Sequence, residues 1–453
     1  MTQNRIQYDV RKCGDSGHSR IAGMGLSWII IFSGFMIKLC GPSLSYVAGV
    51  YHVALMEQFD DIEVVSWLGS MFACMYSLTG PLASLVINSY DCRTCVILSG
   101  LLGLLGFGAS FFIYDIKLLF ISYALVAGLG TGFAQGGCMV SIGYHFPKTS
   151  SLVSGVITCG SGLGVFIHPI LIRYLLNQYG LQGAFLLNGG VMFNLCVFAM
   201  LLEPSPFETE RKRQPATTQL SCGQAMQAFY KHCRQFITVF KSLSFTMLLC
   251  SIFCYSMSIS TLYLFLPDFL YENGASLQDS SLAISSSGIG SILSRFLVGF
   301  AANDTSVGSG VFYNCLPSVV ATLTLFLPFF SLTTGGRIMY GFLTGLYTGG
   351  QFVVLIPIIL ETLDDKFLAS GVGITSFSCG IGTLLGPPIA GVIYKKSGQY
   401  IVVFMFSAAM LFLTSATGFC STLLRRSTDS CEHGREPDIT STEAPSEADP
   451  LAR

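Results

Sequence analysis

Hydrophobic positions in this chain run on for twenty residues or more before a polar cluster interrupts them. Neither an amphipathic surface helix nor a half-buried strand produces such a pattern. A helix needs about 20 mainly apolar residues to cross the hydrocarbon of a bilayer. That requirement is met twelve times, predicting spans at 24–51, 63–88, 93–114, 117–141, 150–174, 182–202, 243–270, 279–302, 309–331, 335–361, 366–394 and 398–423. One polar interruption is far longer than the rest: residues 203–241, containing Glu208, Glu210 and the run Arg211-Lys212-Arg213, divide six spans from six. After about Leu424 the chain is rich in Ser, Thr, Glu, Pro and Asp and cannot bury enough surface to offset its conformational entropy. The sequence therefore predicts an all-α membrane protein. It has a polar tail at 1–23, a six-helix bundle at 24–202, a linker at 203–241, a second six-helix bundle at 242–423 and a disordered tail at 424–453.

Composition sharpens this. Of 453 residues, 51% are hydrophobic and only 11% charged, with mean hydropathy +0.63, which excludes a soluble globular protein. A formal net charge of −1 gives no electrostatic footprint for nucleic acid. The first twenty residues lack the apolar core of a signal peptide. Seventeen of the 24 Lys and Arg residues fall on the side of the two termini and five on the other, so the positive-inside bias places both termini and the linker in the cytoplasm. Cysteines such as Cys74, Cys138, Cys159 and Cys379 lie inside spans, where a thiol acts as a small hydrophobe. No cluster of His, Asp, Glu or Cys within a span has ligand or triad spacing, so neither an enzyme nor a cofactor is expected.

The two halves echo one another. Aligning Cys159 with Cys379 pairs Gly160 with Gly380, Gly162 with Gly382 and Tyr174 with Tyr394. The segment from Asn88 to Arg93, which closes the second span, is similarly echoed by Gly299 to Asp304 after the eighth. Internal repeats of this kind build transporters whose substrate binds between them.

Lys38 and Arg295 complete the basic residues, each inside a span, where a charge by default marks a substrate or ion path. The planar guanidinium of Arg295 can grip a carboxylate through two charge-assisted hydrogen bonds. Alternatively, Arg295 extends toward the interface, since it lies about seven residues, roughly 10 Å, from the cytoplasmic end of its span. Lys38 sits near mid-membrane with Gly34, Gly41, Pro42 and Ser45 close to its helical face and Tyr46 further round. There it attracts an anion or holds a neighbouring carbonyl.

At these residues the chain resembles the monocarboxylate transporter family of the major facilitator superfamily. Phe146, Lys148, Leu152, Gly155 and Gly160 match the family's pattern at the start of helix 5, with His145 in place of a tyrosine. Further similarity lies in Ser66-Trp67, Gly80-Pro81 and the run Gly386 to Gly391, whereas the signature before helix 1 retains only Gly25 and Trp28. The resemblance implies a major facilitator fold of two pseudo-equivalent bundles in the plasma membrane, moving a small carboxylate-bearing solute as a symporter, and leaves a single-pass accessory subunit open. It makes Arg295 the anion-binding arginine of helix 8. The family's aspartate one turn earlier is replaced by Ser291 and its helix 1 lysine by Tyr46, which puts the proton-coupled cycle in question. Substrate contacts are therefore expected at Arg295, Lys38, Tyr46 and Ser291. Gating is expected at Asp91 and Arg93, which resemble the superfamily's inner-loop motif, and at Lys148 and Glu361. A proton-independent facilitator of aromatic amino acids or related solutes is the alternative, and a non-transporting sensor or scaffold is the alternative of another class.

Other signals favour structural roles. Cys92 and Cys95 have redox spacing but no second pair, and the glycines at 128–132 and 160–164 lie within spans, where they mean close packing. His168 beside Pro169 reads as a hydrogen-bonded core residue more readily than as a proton relay. Asp268, Glu272 and Asp279 read as loop charges.

Overall fold

The computed structural model describes residues 17–59, 62–213, 238–240, 242–304 and 308–433, and every regular element among them is helical. We number the spans α1 to α12. α1 combines Gly17–Cys40, the 3-10 turn Pro42–Val47 and Ala48–Gln58; α2 combines Ile62–Leu78 and Gly80–Ser89; α3 is Cys92–Phe111. α4 passes from Ile116–Leu119 through the wide turn Phe120–Ala127 into Gly128–His145. α5 and α6 share the stretch Ser150–Met200 and part at Gly180, where φ is 68° and ψ −176°, a conformation open to glycine. The second half comprises α7, Leu243–Glu272; α8, Leu277–Ala301; and α9, Ser309–Leu325 with Leu327–Phe330. It continues with α10, Thr334–Thr348 and Leu355–Thr362; α11, Leu368–Ser397; and α12, Tyr400–His433.

Nine described segments are long and apolar enough to cross a bilayer unaided. The other spans escape that test for physical reasons: α5 and α6 run together, α9 is shorter, and α10 unwinds around Gly349 and Gly350. α1 begins at Gly17, inside the stretch expected as tail, and loses its α-helical pitch at Gly41-Pro42, where proline offers no N–H. α12 continues past Leu424 to His433, while 434–453 and the middle of the linker, 214–237, lie outside the described residues.

Lipid supplies no hydrophobic drive between helices, so packing depends on small residues that let backbones approach. Gly160 and Gly34 seat α5 against α1, and Gly100 and Gly103 seat α3 against α6. The second half repeats the arrangement: Gly382 and Gly386 seat α11 on α7, and α9 meets α12 where Asn314 bonds Thr422 at 3.3 Å. The α2–α4 contact at Gly128 and Gly132 has its counterpart between α8 and α10 at Gly341 and Gly345. The helices of each bundle thus pair in the same order. Outward-facing Leu105, Ile170 and Phe300 present hydrocarbon to the exterior, as a bilayer requires.

The bundles meet along two seams, α2 against α11 and α5 against α8. A methyl group on Gly373 would lie 2.7 Å from the Gly80 carbonyl oxygen, and one on Gly299 would lie 2.8 Å from Gly155 Cα. Backbone therefore touches backbone at both crossings. Asn88 donates to Ser370 Oγ at 3.1 Å near the first, and Gly143 of α4 leaves room for Leu368 of α11. These contacts close the end of the molecule that carries the linker.

Candidate functional site

Arg295 belongs to α8 and reaches across the seam to α5, where its Nη1 donates to the Thr158 carbonyl oxygen at 2.7 Å. Space for the guanidinium comes from Gly162, since a methyl there would stand 3.2 Å from Nη1. Arg295 is half-buried, and among the described residues no carboxylate pairs with it. The side chain thus crosses from one bundle to the other.

Lys38 approaches the same level of α5 from the other side. Its Cβ faces Gly160, and its side chain is 1% exposed, the ammonium donating to Gln135 Oε1 of α4. Gln135 also lines a crevice between bundles with Tyr76, Gly80, Ser84, Gly373 and Ser376. A cation on each half thus packs against the same stretch of α5, one held by an amide oxygen and the other by a backbone carbonyl. Such donors suit an anion.

The remaining expected contacts are placed less centrally. Ser291 packs against Gly349 of α10, its Oγ 2.7 Å from where a methyl on that glycine would sit. Tyr46 belongs to the Pro42–Val47 turn, and its side chain lies outside the described residues. His168 is anchored by Ser43 Oγ and the Gly164 carbonyl oxygen, both at 3.1 Å from Nδ1. Cys95 packs its thiol toward the Phe133 carbonyl at 3.4 Å.

The expected gate residues all lie at the linker end without forming one cluster. Asp91, 6% exposed, caps α3 by accepting from Thr94 N at 2.6 Å. Arg93 follows half-buried in the first turn of α3, and Lys148 is exposed before α5. Glu361 ends α10, accepting from Ser309 Oγ at 2.8 Å and pairing with Arg425 of α12. Three features escaped the sequence reading. Gln135 was visible as the one amide in a glycine-rich span, yet its partner depends on helix rotation. Glu208, 1% exposed, accepts from Cys92 N at 2.8 Å and Ser205 N at 2.9 Å, docking the linker helix Pro206–Arg213 onto α3. Arg337, 7% exposed, ties Ser331 O, Asn273 O and Asp279 together at the opposite end.

A family model described as Major Facilitator Superfamily matches residues 26–340 and 248–445. The chain belongs to the Major Facilitator Superfamily. Its members are transporters, not enzymes. Among superfamily proteins it is 26% identical to mouse monocarboxylate transporter 12 over 427 residues, covering 87% of this chain and 85% of the relative. It is 26% identical to human monocarboxylate transporter 14 over 473 residues, covering 87% and 91%. These relatives bear out the resemblance to the monocarboxylate transporter family. The superfamily fold is also that of the E. coli fucose:proton symporter, with TM-score 0.67 and 11% identity, covering 87% of this chain and 99% of that one.

Proposed function

We propose that this superfamily member moves a small organic monocarboxylate across a membrane by alternating access, with Arg295 holding the carboxylate. One observation carries the reading: an arginine sits in the seam between the bundles, fixed by one backbone carbonyl and without a carboxylate partner among the described residues. A fixed guanidinium in a low-dielectric setting favours an anion that restores neutrality. The relatives' names support the cargo class.

Rocking of 24–202 against 242–423 about this centre gives the cycle, with Asp91, Arg93, Lys148 and Glu361 acting at the linker end. Plasma membrane is the location we assign, with both termini cytoplasmic. Replacing Arg295 by Gln tests the proposal. We expect protein-dependent uptake of labelled lactate into cells to fall at least tenfold, about 1.4 kcal/mol of lost interaction, at unchanged surface expression. Undiminished lactate uptake removes Arg295 from the mechanism.

A proton-independent cycle is favoured over symport by a specific observation: the aspartate expected one turn before the arginine is Ser291, and it packs against Gly349.

A further inference from the structure

We infer that Lys38 forms a second anion subsite with Gln135, so that the cargo class proposed above extends to a dianion, such as a short dicarboxylate, with one carboxylate on Arg295 and the other on Lys38. This rests on the proposed docking role of Arg295 and extends it.

Both cations are placed by the same stretch of α5. Arg295 Nη1 bonds Thr158 O at 2.7 Å and would stand 3.2 Å from a methyl on Gly162, while Lys38 Cβ would stand 3.3 Å from one on Gly160. Residues 158 to 162 span only about 6 Å along a helix axis. The two side chains approach from different helices, α1 and α8, and so from the two bundles. The ammonium is buried, with Gln135 Oε1 as its partner. An amide oxygen accepts one proton and neutralises no charge. Gln135 lines the packed seam between bundles beside Gly80 and Gly373, so an anion admitted when the bundles part would meet Lys38 at the amide's edge.

Charge balance then discriminates among cargoes. A buried ammonium and a half-buried guanidinium, with no carboxylate pairing either among the described residues, are left with one uncompensated charge by a monoanion and with none by a dianion. Net charge held in low dielectric is costly, so the neutral complex binds better. Two carboxylates separated by a short chain also suit donors on opposite bundles, and closing on both would couple binding to the rocking motion.

The full-length protein, purified in detergent, tests this through thermal unfolding against succinate and lactate. Half-maximal stabilisation is expected at a succinate concentration about tenfold below that for lactate, a 1.4 kcal/mol difference. Lys38→Met should erase the ratio, and Gln135→Glu, nearly isosteric, should do the same by supplying an internal anion for the ammonium. If Lys38→Met does not fold, Gln135→Glu decides alone. Equal responses to the two acids in the parent protein, or a ratio preserved in Gln135→Glu, overturn the dianion subsite and leave the docking role of Arg295 standing. No response to either acid overturns both. Lactate stabilisation surviving Arg295→Gln sinks the arginine reading specifically.

Discussion

Arg295 shows how one residue acquires meaning from what surrounds it. The sequence offered two destinations for its long side chain, the membrane interface or the centre, and hydropathy cannot choose between them. The Thr158 carbonyl and the gap left by Gly162 hold it in the seam. Glu208 was hidden for the opposite reason: in a charged linker it looks solvated, whereas its carboxylate occupies the amino end of α3, where unpaired N–H groups and the helix dipole favour an anion. Glu208→Ala would strand Cys92 N and Ser205 N. We expect a stability loss of about 1–3 kcal/mol, read as an earlier thermal unfolding transition in detergent, with Glu208→Asp intermediate.

Among the elements, the spans themselves were legible because a bilayer enforces a length, and α2, α3, α7 and α8 fall close to their expected limits. Less legible were the interruptions. The turn at Gly41-Pro42 and the unwinding at Gly349 are backbone events inside apolar runs, so side-chain hydropathy passes over them. Pairing was also opaque, since whether Lys38 meets Gln135 depends on the rotation of α1 against α4. The α2–α11 seam makes a testable case. Gly373→Ala places a methyl 2.7 Å from the Gly80 carbonyl oxygen and 2.8 Å from Ser84 Cβ and Oγ. Prying that seam apart should open the linker end, raising the alkylation of nearby Cys379 several-fold by peptide mass spectrometry. Gly391→Ala, with open space around it, should leave the rate unaltered. Equal rates in both variants would show that this crossing does not hold the end closed.

For the whole molecule, the repeated pairing of helices in the two bundles was foreshadowed by the match of Cys159 with Cys379. The sites at which the halves touch were not, because glycine carries no hydropathic signature. The absence of a carboxylate beside Arg295 among the described residues has a consequence at this scale. An inwardly directed proton gradient across liposomes holding only this protein should change protein-dependent lactate uptake by less than about twofold, less than 0.5 kcal/mol of driving force. Strong acceleration by the gradient would show that some other group carries protons through the cycle.

Gly80 with Gly373 and Gly155 with Gly299 give the halves bare points of contact. At these two crossings backbone meets backbone, so each can serve as a pivot on which one bundle swivels against the other. Two such arrangements can lie close in free energy, so cargo with only modest preference for one of them suffices to tip the population.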